Sequence, residues 1–380
     1  MLRQLRAAGL EDWFRVRYFN AHVDISSSGV HPYRLHEVRA LTGLTFEEMD
    51  RLPFRDSPSD GQERLRRALA DRFKPGQGHS PFVGNGSTEA ILLAVSALVG
   101  PGDEVVVTTA SYHSLSSLAE SVGAKLVWWD LDLTGGQADL DQLRSLVGPR
   151  TRAVIVNFPH NPTGVTLTAG EYRELLSIVD HHGAYLLWDA AFAELVYDDA
   201  PLPDPSASIE RCVSFGTLSK AYGLPGLRVG WCIAPSSLFA DLARMRDCVT
   251  LNTSPLLEEI ASRVVENADA VLRPRLEQAR ANRAVVIRWL EDNRDIVAGV
   301  VPRGGVTFFP QIIGVPDTRP LCEFLADERG VLTVPGDCFG RPDRIRLGFG
   351  GLADELGTGL DVLASVVRQW ISGRRQRVVA

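Results

Sequence analysis

The segment SFGTLSKAYGLPGLRVGW, residues 214–231, is the most informative stretch of the chain. An apolar run leads into a loop of hydroxyl residues and glycines that contains Lys220. Such a loop can partly desolvate an amine, which makes the neutral, nucleophilic form accessible. Thr217, Ser219 and Arg228 add hydroxyl donors and a guanidinium, a set that suits a phosphate dianion. Taken alone, Lys220 could equally be a surface lysine in a turn.

A second candidate phosphate element is GNGSTEA, residues 84–90. Gly86, Ser87 and Thr88 open a predicted helix there, and the free N–H groups and dipole of a helix start favour an anion. Serine and threonine at a helix start are more often simple caps. This motif therefore indicates a phosphate site only in combination with the segment around Lys220.

Two further polar residues follow predicted strands. Asp189 ends the apolar run in AYLLWDAAF, and a buried carboxylate costs on the order of several kcal/mol unless it has a partner. A protonated pyridine nitrogen would be such a partner, whereas an N-cap is the structural alternative. Asn161 in NFPHNPTG offers an amide donor, although Asn-Pro alone is typical of an ordinary turn. Together with the aromatic Tyr112 after another strand, the set predicts pyridoxal 5'-phosphate (PLP) bound through Lys220.

The chain alternates amphipathic helical patterns with short apolar runs from about residue 60, which is typical of strands joined by crossover helices. The ligand of such an α/β fold is expected at the carboxyl ends of its mainly parallel strands. Beyond about residue 255 long Arg/Glu-rich helices precede a few short strands. We therefore predict a large PLP-binding domain over 50–255 and a smaller α+β domain built from 1–49 and 256–380.

The composition of the chain indicates which kinds of partner molecule to expect. The 380 residues carry a formal net charge of −7, which gives no electrostatic reason to expect nucleic acid or an anionic membrane as a partner. The late stretch RQWISGRRQR is basic, but it is short and terminal, and a solvated tail explains it better. Five cysteines are widely spaced without a CxxC pair, so neither disulfides nor a metal site is expected. The N-terminus does not resemble a secretory signal, and no apolar run reaches the roughly 18 residues of a membrane span. These features favour a soluble, cytoplasmic protein with a small-molecule substrate.

Over essentially its whole length the chain resembles the class I/II aminotransferase superfamily, the fold-type I PLP enzymes. The resemblance implies an α/β fold with a mainly parallel seven-stranded sheet flanked by helices, a smaller second domain, and a homodimer. It gives Lys220 the covalent link to the cofactor, Asp189 the pyridine nitrogen and Asn161 the phenolic oxygen. The remaining cofactor positions are Gly86, Ser87, Thr88, Thr217, Ser219 and Arg228 around the phosphate and Tyr112 against the ring, whereas Arg346, Ser28 and Gly29 are assigned to the substrate.

Three departures from the superfamily pattern argue against ordinary transamination. Phe192 stands where many members have a tyrosine that shares the phenolic oxygen, so one hydrogen bond to the cofactor is missing. His160 precedes Asn161 in a motif that usually reads NPNNPTG. Asp56 or Ser57 occupies the region where a tyrosine of the dimer partner often reaches the phosphate.

A closer resemblance accounts for these departures. DISSSGVHPYRLHEVRAL at 24–41, NFPHNPTG, LLWDAAF, SFGTLSKAYGLPGLRVGWC and VPRGGVTFFP resemble the capreomycidine synthase family of cyclases. Those enzymes act on hydroxylated arginine in the biosynthesis of guanidine-containing antibiotics. The resemblance implies that Lys220 removes the α-proton of a 3-hydroxy- or 3,4-dihydroxyarginine, that the β-hydroxyl leaves as water, and that the guanidine adds to Cβ.

Two roles stay open at the level of sequence. The departing hydroxyl needs a proton donor, for which His31, His113 and His160 are candidates, each with an alternative as a turn or core histidine. The guanidinium needs a carboxylate or carbonyl cage, with Asp24 and Glu37 as possible members. The alternative function is a plain aminotransferase using 2-oxoglutarate. A PLP-binding regulatory module is disfavoured because the chain lacks a basic helix-turn-helix pattern.

Overall fold

The computed structural model describes residues 5–379, with side chains described over 5–373. No helix within this range is both long and apolar enough to cross a membrane. The α-helices are α1 Gly9–Arg17, α2 Leu35–Thr42, α3 Phe46–Asp50, α4 Glu63–Phe73, α5 Ser87–Leu98, α6 His113–Ser121, α7 Leu140–Leu146, α8 Ala169–His181, α9 Phe239–Arg246, α10 Pro255–Glu266, α11 Ala268–Asp292, α12 Arg319–Arg329 and α13 Ala353–Val379. The strands are β1 Val23–Asp24, β2 His79–Gly84, β3 Glu104–Thr108, β4 Lys125–Trp129, β5 Thr151–Asn157, β6 Tyr185–Asp189, β7 Cys212–Thr217, β8 Gly230–Pro235, β9 Val297–Ala298, β10 Thr307–Phe308, β11 Gln311–Ile312, β12 Val331–Leu332, β13 Val334–Pro335 and β14 Ile345–Gly348.

A seven-stranded sheet forms the centre of the molecule, in the order β2-β8-β7-β6-β5-β3-β4. Strand β8 runs antiparallel to both of its neighbours, whereas the other pairs are parallel. Runs such as Val105–Val107 form strands here because both faces of the sheet are covered, so β-branched side chains pack on either side. The predicted α/β fold with a mainly parallel seven-stranded sheet is confirmed.

Helices cover the two faces of the sheet with separate apolar layers. Leu93 and Val95 of α5 pack on one face with residues of β3 and β7, and Leu175 and Val179 of α8 pack on the other. Because the strands are parallel, their carboxyl ends meet at one edge. At this edge Asn157, the last residue of β5, lies opposite Asp189, the last residue of β6.

The N-terminal segment returns to the end of the chain rather than to the sheet that follows it. Strand β1 pairs in parallel with β12, and the Gly348 N–H donates to the Ile25 carbonyl at 2.8 Å. The Val30 N–H then donates to the Lys220 carbonyl at 3.2 Å. Residues about 190 positions apart in sequence thus meet beside the carboxyl edge of the large sheet.

Candidate active site

A cavity of about 530 Å³ opens at the carboxyl edge of the sheet. Its floor comes from the ends of β5, β6 and β7, and the start of α5 forms one wall. Helix α1 and the segment 24–32 form the opposite wall. The structure therefore brings motifs from the middle of the chain together with the N-terminal segment.

Lys220 lies in this cavity, three residues after β7 ends. Its Nζ donates to the Ser28 Oγ at 2.9 Å. Burial, helped by the Arg346 charge, lowers the pKa of Lys220 to about 8, while Asp189 opposes the shift. Near pH 7 roughly a tenth of the amine is therefore neutral, far more than for a free lysine. This fits a lysine that forms a covalent bond with a carbonyl.

Asp189 lies 5% exposed at the floor of the cavity. Its Oδ1 accepts from the Ala191 N–H at 3.0 Å, and no cation within the described residues lies in ion-pair range. Burial raises the pKa of Asp189 to about 6 against the Ala191 N–H and the Lys220 charge, which lower it. A cationic ring nitrogen in the cavity would stabilise the carboxylate and lower this pKa.

Asn157 is a positioning residue that the sequence analysis did not single out. It is fully buried, and its Nδ2 donates to the Asp189 carbonyl at 2.9 Å. Its Oδ1 accepts from the Asn161 N–H at 2.8 Å. One amide side chain therefore fixes both strand ends that carry the predicted cofactor contacts. Only its place at the end of an apolar run could have indicated this role.

The predicted phosphate residues form a cradle. Helix α5 starts at Ser87 without a side-chain cap, so its first N–H groups are free for an anion. Arg228 is exposed, and its Nη1 approaches the Ser219 Oγ at 3.4 Å, while Thr217 Oγ1 lies 3.0 Å from the same oxygen. Gly86 has a φ of 85°, and a Cβ there would lie 2.5 Å from an Arg228 nitrogen. The positive φ favours glycine at this position, and a side chain there would also displace the flexible end of Arg228.

Two aromatic residues bound the space between Lys220 and the cradle. Tyr112 lines the cavity and approaches the Glu11 Oε1 with its hydroxyl at 3.3 Å. Burial, followed by the Glu11 charge, raises the pKa of Tyr112. Phe192 is buried, with its ring centroid 5.9 Å from the Lys220 Nζ. Because Phe192 has no hydroxyl group, it cannot donate a hydrogen bond to an oxygen of the cofactor.

The three predicted substrate residues lie near one another but not at equal depth. Ser28 and Gly29 line the cavity. Arg346 is fully buried behind them: its Nη2 donates to the Ser26 carbonyl at 2.9 Å and its Nη1 to the Asn161 Oδ1 at 3.3 Å. Its Nε has no hydrogen-bond partner within the described part of the chain. Burial lowers the pKa of Arg346 to about 10.

Of the three candidate proton donors, one lines the cavity and two do not. His31 lines the cavity, and burial with the Arg275 charge lowers its pKa. His160 lies outside the cavity in the core, with its Nδ1 2.8 Å from the Thr163 Oγ1, because the loop after β5 turns it inward. His113, in the first turn of α6, is also outside the lining.

Of the two candidate guanidinium ligands, one lines the cavity and the other does not. Asp24 lines the cavity, whereas Glu37 lies outside it and accepts from the Arg34 N–H at 2.7 Å as part of a helix cap. Glu11 and Glu355 also line the cavity, and the sequence analysis missed both. No motif marks them, because each is brought to the site only by long-range packing.

The fold and the site together define the fold-type I class, with a lysine after a strand, an acid at a neighbouring strand end and an anion cradle at a helix start. The family model of aminotransferase class I and II matches residues 50–363, and the chain belongs to this family. It is 52% identical to capreomycidine synthase of Streptomyces vinaceus over 98% of this chain and 96% of that protein. It is 27% identical to the arginine–pyruvate transaminase AruH of Pseudomonas aeruginosa, covering 76% of each chain. The solved structure of the PLP-dependent cyclase OrfR matches with a TM-score of 0.90 at 39% identity, over 97% of this chain and 99% of that one.

The residues present fit a phosphorylated pyridine aldehyde such as PLP. The uncapped start of α5 and the Arg228 guanidinium suit its phosphate. The unpaired Asp189 carboxylate suits a ring N–H, and the Lys220 amine with its lowered pKa suits the aldehyde. This fit rests on capacity that the described residues leave unused: the first N–H groups of α5 have no side-chain cap, and the Asp189 carboxylate has no cation in ion-pair range.

Proposed function

We propose that the protein is a PLP-dependent cyclase that converts a β-hydroxylated L-arginine into a cyclic guanidino amino acid with loss of water. The substrate is 3-hydroxy- or 3,4-dihydroxyarginine, and the product is capreomycidine or a hydroxylated form of it. The observation that carries the proposal is the 52% identity to capreomycidine synthase over 98% of the chain. The likeness to the cyclase OrfR supports it independently.

In this proposal different polar residues of the cavity bind different parts of the cofactor. Lys220 holds the aldehyde, Asp189 the ring nitrogen and Asn161 the phenolic oxygen. Bound in this way, PLP supplies an electron sink that stabilises negative charge at the substrate Cα. The phosphate lies against Ser87, Thr88, Thr217, Ser219 and Arg228, next to the close approach at Gly86, and Tyr112 packs against the ring.

The chain's own groups then manage protons and orientation. Lys220, with a pKa of about 8, is a base suited to removing the α-proton near neutral pH. Ser28 accepts a hydrogen bond from its amine and so holds that amine at the cavity wall. His31 is the candidate that lines the cavity and could protonate the departing hydroxyl. Holding the guanidine beside Cβ makes ring closure effectively unimolecular.

Phe192 favours cyclisation over transamination in this proposal. A transaminase must move a proton onto the cofactor carbon, and hydrogen bonds to the phenolic oxygen help to tune that transfer. Phe192 cannot donate such a bond, which leaves Asn161 alone for it. Elimination at Cβ needs no proton on the cofactor, so a cyclase can dispense with the tyrosine.

We also propose a homodimer that works in the cytoplasm in antibiotic biosynthesis. Phe54 is 89% exposed and Leu251 is 57% exposed, and such apolar side chains suit burial against a second copy. We retain the division into a cofactor domain over 50–255 and a smaller domain from 1–49 and 256–380. The pairing of β1 with β12 supports the return of the N-terminus to the smaller domain.

Mass spectrometry of the product formed from 3-hydroxy-L-arginine tests the proposed reaction. We expect a product that is lighter by one water and keeps its α-amino group, because addition of the guanidine to Cβ saturates the Cα–Cβ bond. An uncyclised product would instead tautomerise to an imine and hydrolyse to a deoxygenated keto acid with release of ammonia. The alternative aminotransferase would instead need 2-oxoglutarate and release a keto acid in step with glutamate. Formation of that keto acid, without a dehydrated product, would reject the cyclase.

A further inference from the structure

We infer that Glu11 is the carboxylate that binds the guanidinium group of the substrate and so sets the preference for arginine-like side chains. This inference rests on the proposed function, since it concerns how that same cavity selects its substrate. It names a specificity-determining residue on α1, a helix outside every motif that the cofactor chemistry uses.

Helix α1 is fixed by one face and presents the other to the cavity. Leu10 and Trp13 are buried in the core, and the Trp13 Nε1 donates to the Thr333 carbonyl at 2.9 Å. Glu11, Phe14 and Tyr18 lie at i, i+3 and i+7 and all line the cavity. The carboxylate is therefore held over the cavity by a rigid element rather than by a free loop.

Glu11 carries a carboxylate without a cation. Its one hydrogen bond within the described residues is the 3.3 Å contact from the Tyr112 hydroxyl, and none of the ion pairs there includes it. Its charge nevertheless reaches the centre of the site: burial lowers the pKa of Lys220 and of Arg346, and the Glu11 charge partly opposes the shift in both. A half-buried carboxylate in this position gains most from a ligand that brings its own positive charge.

Asp189 lies at the floor of the cavity and is assigned to the cofactor, and the other two acids of the lining, Asp24 and Glu355, are less suited to this role. Both Asp24 oxygens are occupied: Oδ1 accepts from the Ser26 N–H and hydroxyl, and Oδ2 from the Ser27 hydroxyl. These bonds make Asp24 an organiser of its own loop. Glu355 acts electrostatically on His31, whereas Glu11 acts on Lys220. Glu11 is thus the acid of the substrate side whose charge acts on the reactive lysine, and its carboxylate accepts only the Tyr112 hydrogen bond among the described residues.

The surroundings of Glu11 suit a planar cation. The Phe14 and Tyr18 rings lie edge to face, with centroids 5.5 Å apart, on the same wall. A guanidinium stacks on aromatic faces as a cation and forms two parallel, charge-assisted hydrogen bonds with a carboxylate. A neutral ureido group has no positive charge to strengthen either interaction. The cavity should therefore distinguish arginine from citrulline, which has the same shape but no charge.

Binding of L-arginine and L-citrulline to the holoenzyme tests this inference without turnover. Neither ligand has a β-hydroxyl to lose, so their dissociation constants can be read from the absorbance change of the bound cofactor. We expect the wild type to bind arginine at least about tenfold more tightly than citrulline, as a charge-assisted hydrogen bond requires. Glu11→Gln should bring the ratio close to one, and Glu11→Asp should restore part of it.

Glu47→Gln is the matched control, because it makes the same change at an exposed glutamate of α3 that pairs with Arg51 and does not line the cavity. It should leave the ratio unchanged, and thermal melts will show that both variants are folded. The assignment would be overturned if Glu11→Gln kept the wild-type preference for arginine over citrulline and if Glu355→Gln or Asp24→Asn lost that preference instead. The same holds if the wild type releases the dehydrated product yet binds both ligands equally. A keto acid product, in contrast, rejects only the proposed reaction, and the Glu11→Gln ratio still decides the role of Glu11.

Discussion

The two walls of the cavity are built in different ways. The cofactor wall comes from loops that follow successive strands of one sheet, so Asp189, Lys220 and the start of α5 are placed by backbone geometry. The substrate wall comes from α1, the segment 24–32 and the end of β14, which meet only through long-range contacts. We therefore expect the cofactor wall to keep its shape among related enzymes and the substrate wall to vary with their specificity.

The largest effect is expected from removal of the reactive group of the cofactor wall. Lys220→Ala should lower turnover by about 10²- to 10⁴-fold, because the variant loses both the covalent anchor and the proposed base. Borohydride treatment of the holoenzyme followed by peptide mass spectrometry should find the cofactor on Lys220. The control is Lys125→Ala, which removes an exposed lysine of β4. Attachment of cofactor to another lysine in the Lys220→Ala variant would contradict the assignment.

A smaller effect is expected where a glycine of the cradle acquires a side chain. Gly86→Ala should weaken PLP binding by about 10- to 100-fold, since its Cβ would displace the Arg228 guanidinium and strain a residue at positive φ. Gly102→Ala is the matched control: its φ is 88°, but its Cβ would meet nothing within 4 Å. Equilibrium titration of the apoenzyme with PLP measures both. Equal losses in the two variants would show that strain, rather than the cradle, is responsible.

The smallest expected effect is a change in the pKa of Lys220 when the nearby Asp189 charge is removed. In the apoenzyme, acetylation of Lys220 should rise with pH about a midpoint near 8, because only the neutral amine reacts and burial lowers its pKa. The Asp189 charge raises that pKa, so Asp189→Asn should move the midpoint to lower pH. Asp130→Asn, at an exposed acid, should not move it. Peptide mass spectrometry gives the midpoints, and a value near 10.5 in the wild type would refute the desolvation of Lys220.

The sequence predicted the cofactor wall better than the substrate wall for a physical reason. Asp189 and Asn161 each follow an apolar run, and parallel strands must align their carboxyl ends, so local patterns were enough to place them together. Glu11 follows no such rule, because α1 is placed by Leu10 and Trp13 against residues more than 300 positions away. Glu37 was an incorrect candidate for the opposite reason: its acidic charge serves the start of α2. The domain boundaries remain predictions.

The pairing of β1 with β12 also orders events in time. Val23 lies beside Val331, so the wall that we propose for the substrate cannot form until residues 331–348 have been synthesised. The strands that carry the cofactor residues are all complete by Pro235 and can pair before then. We expect a newborn chain to form the strand ends proposed to hold PLP before residues 23–32 meet their partner strand. Loading of the cofactor can precede, and need not depend on, the closing of the substrate wall.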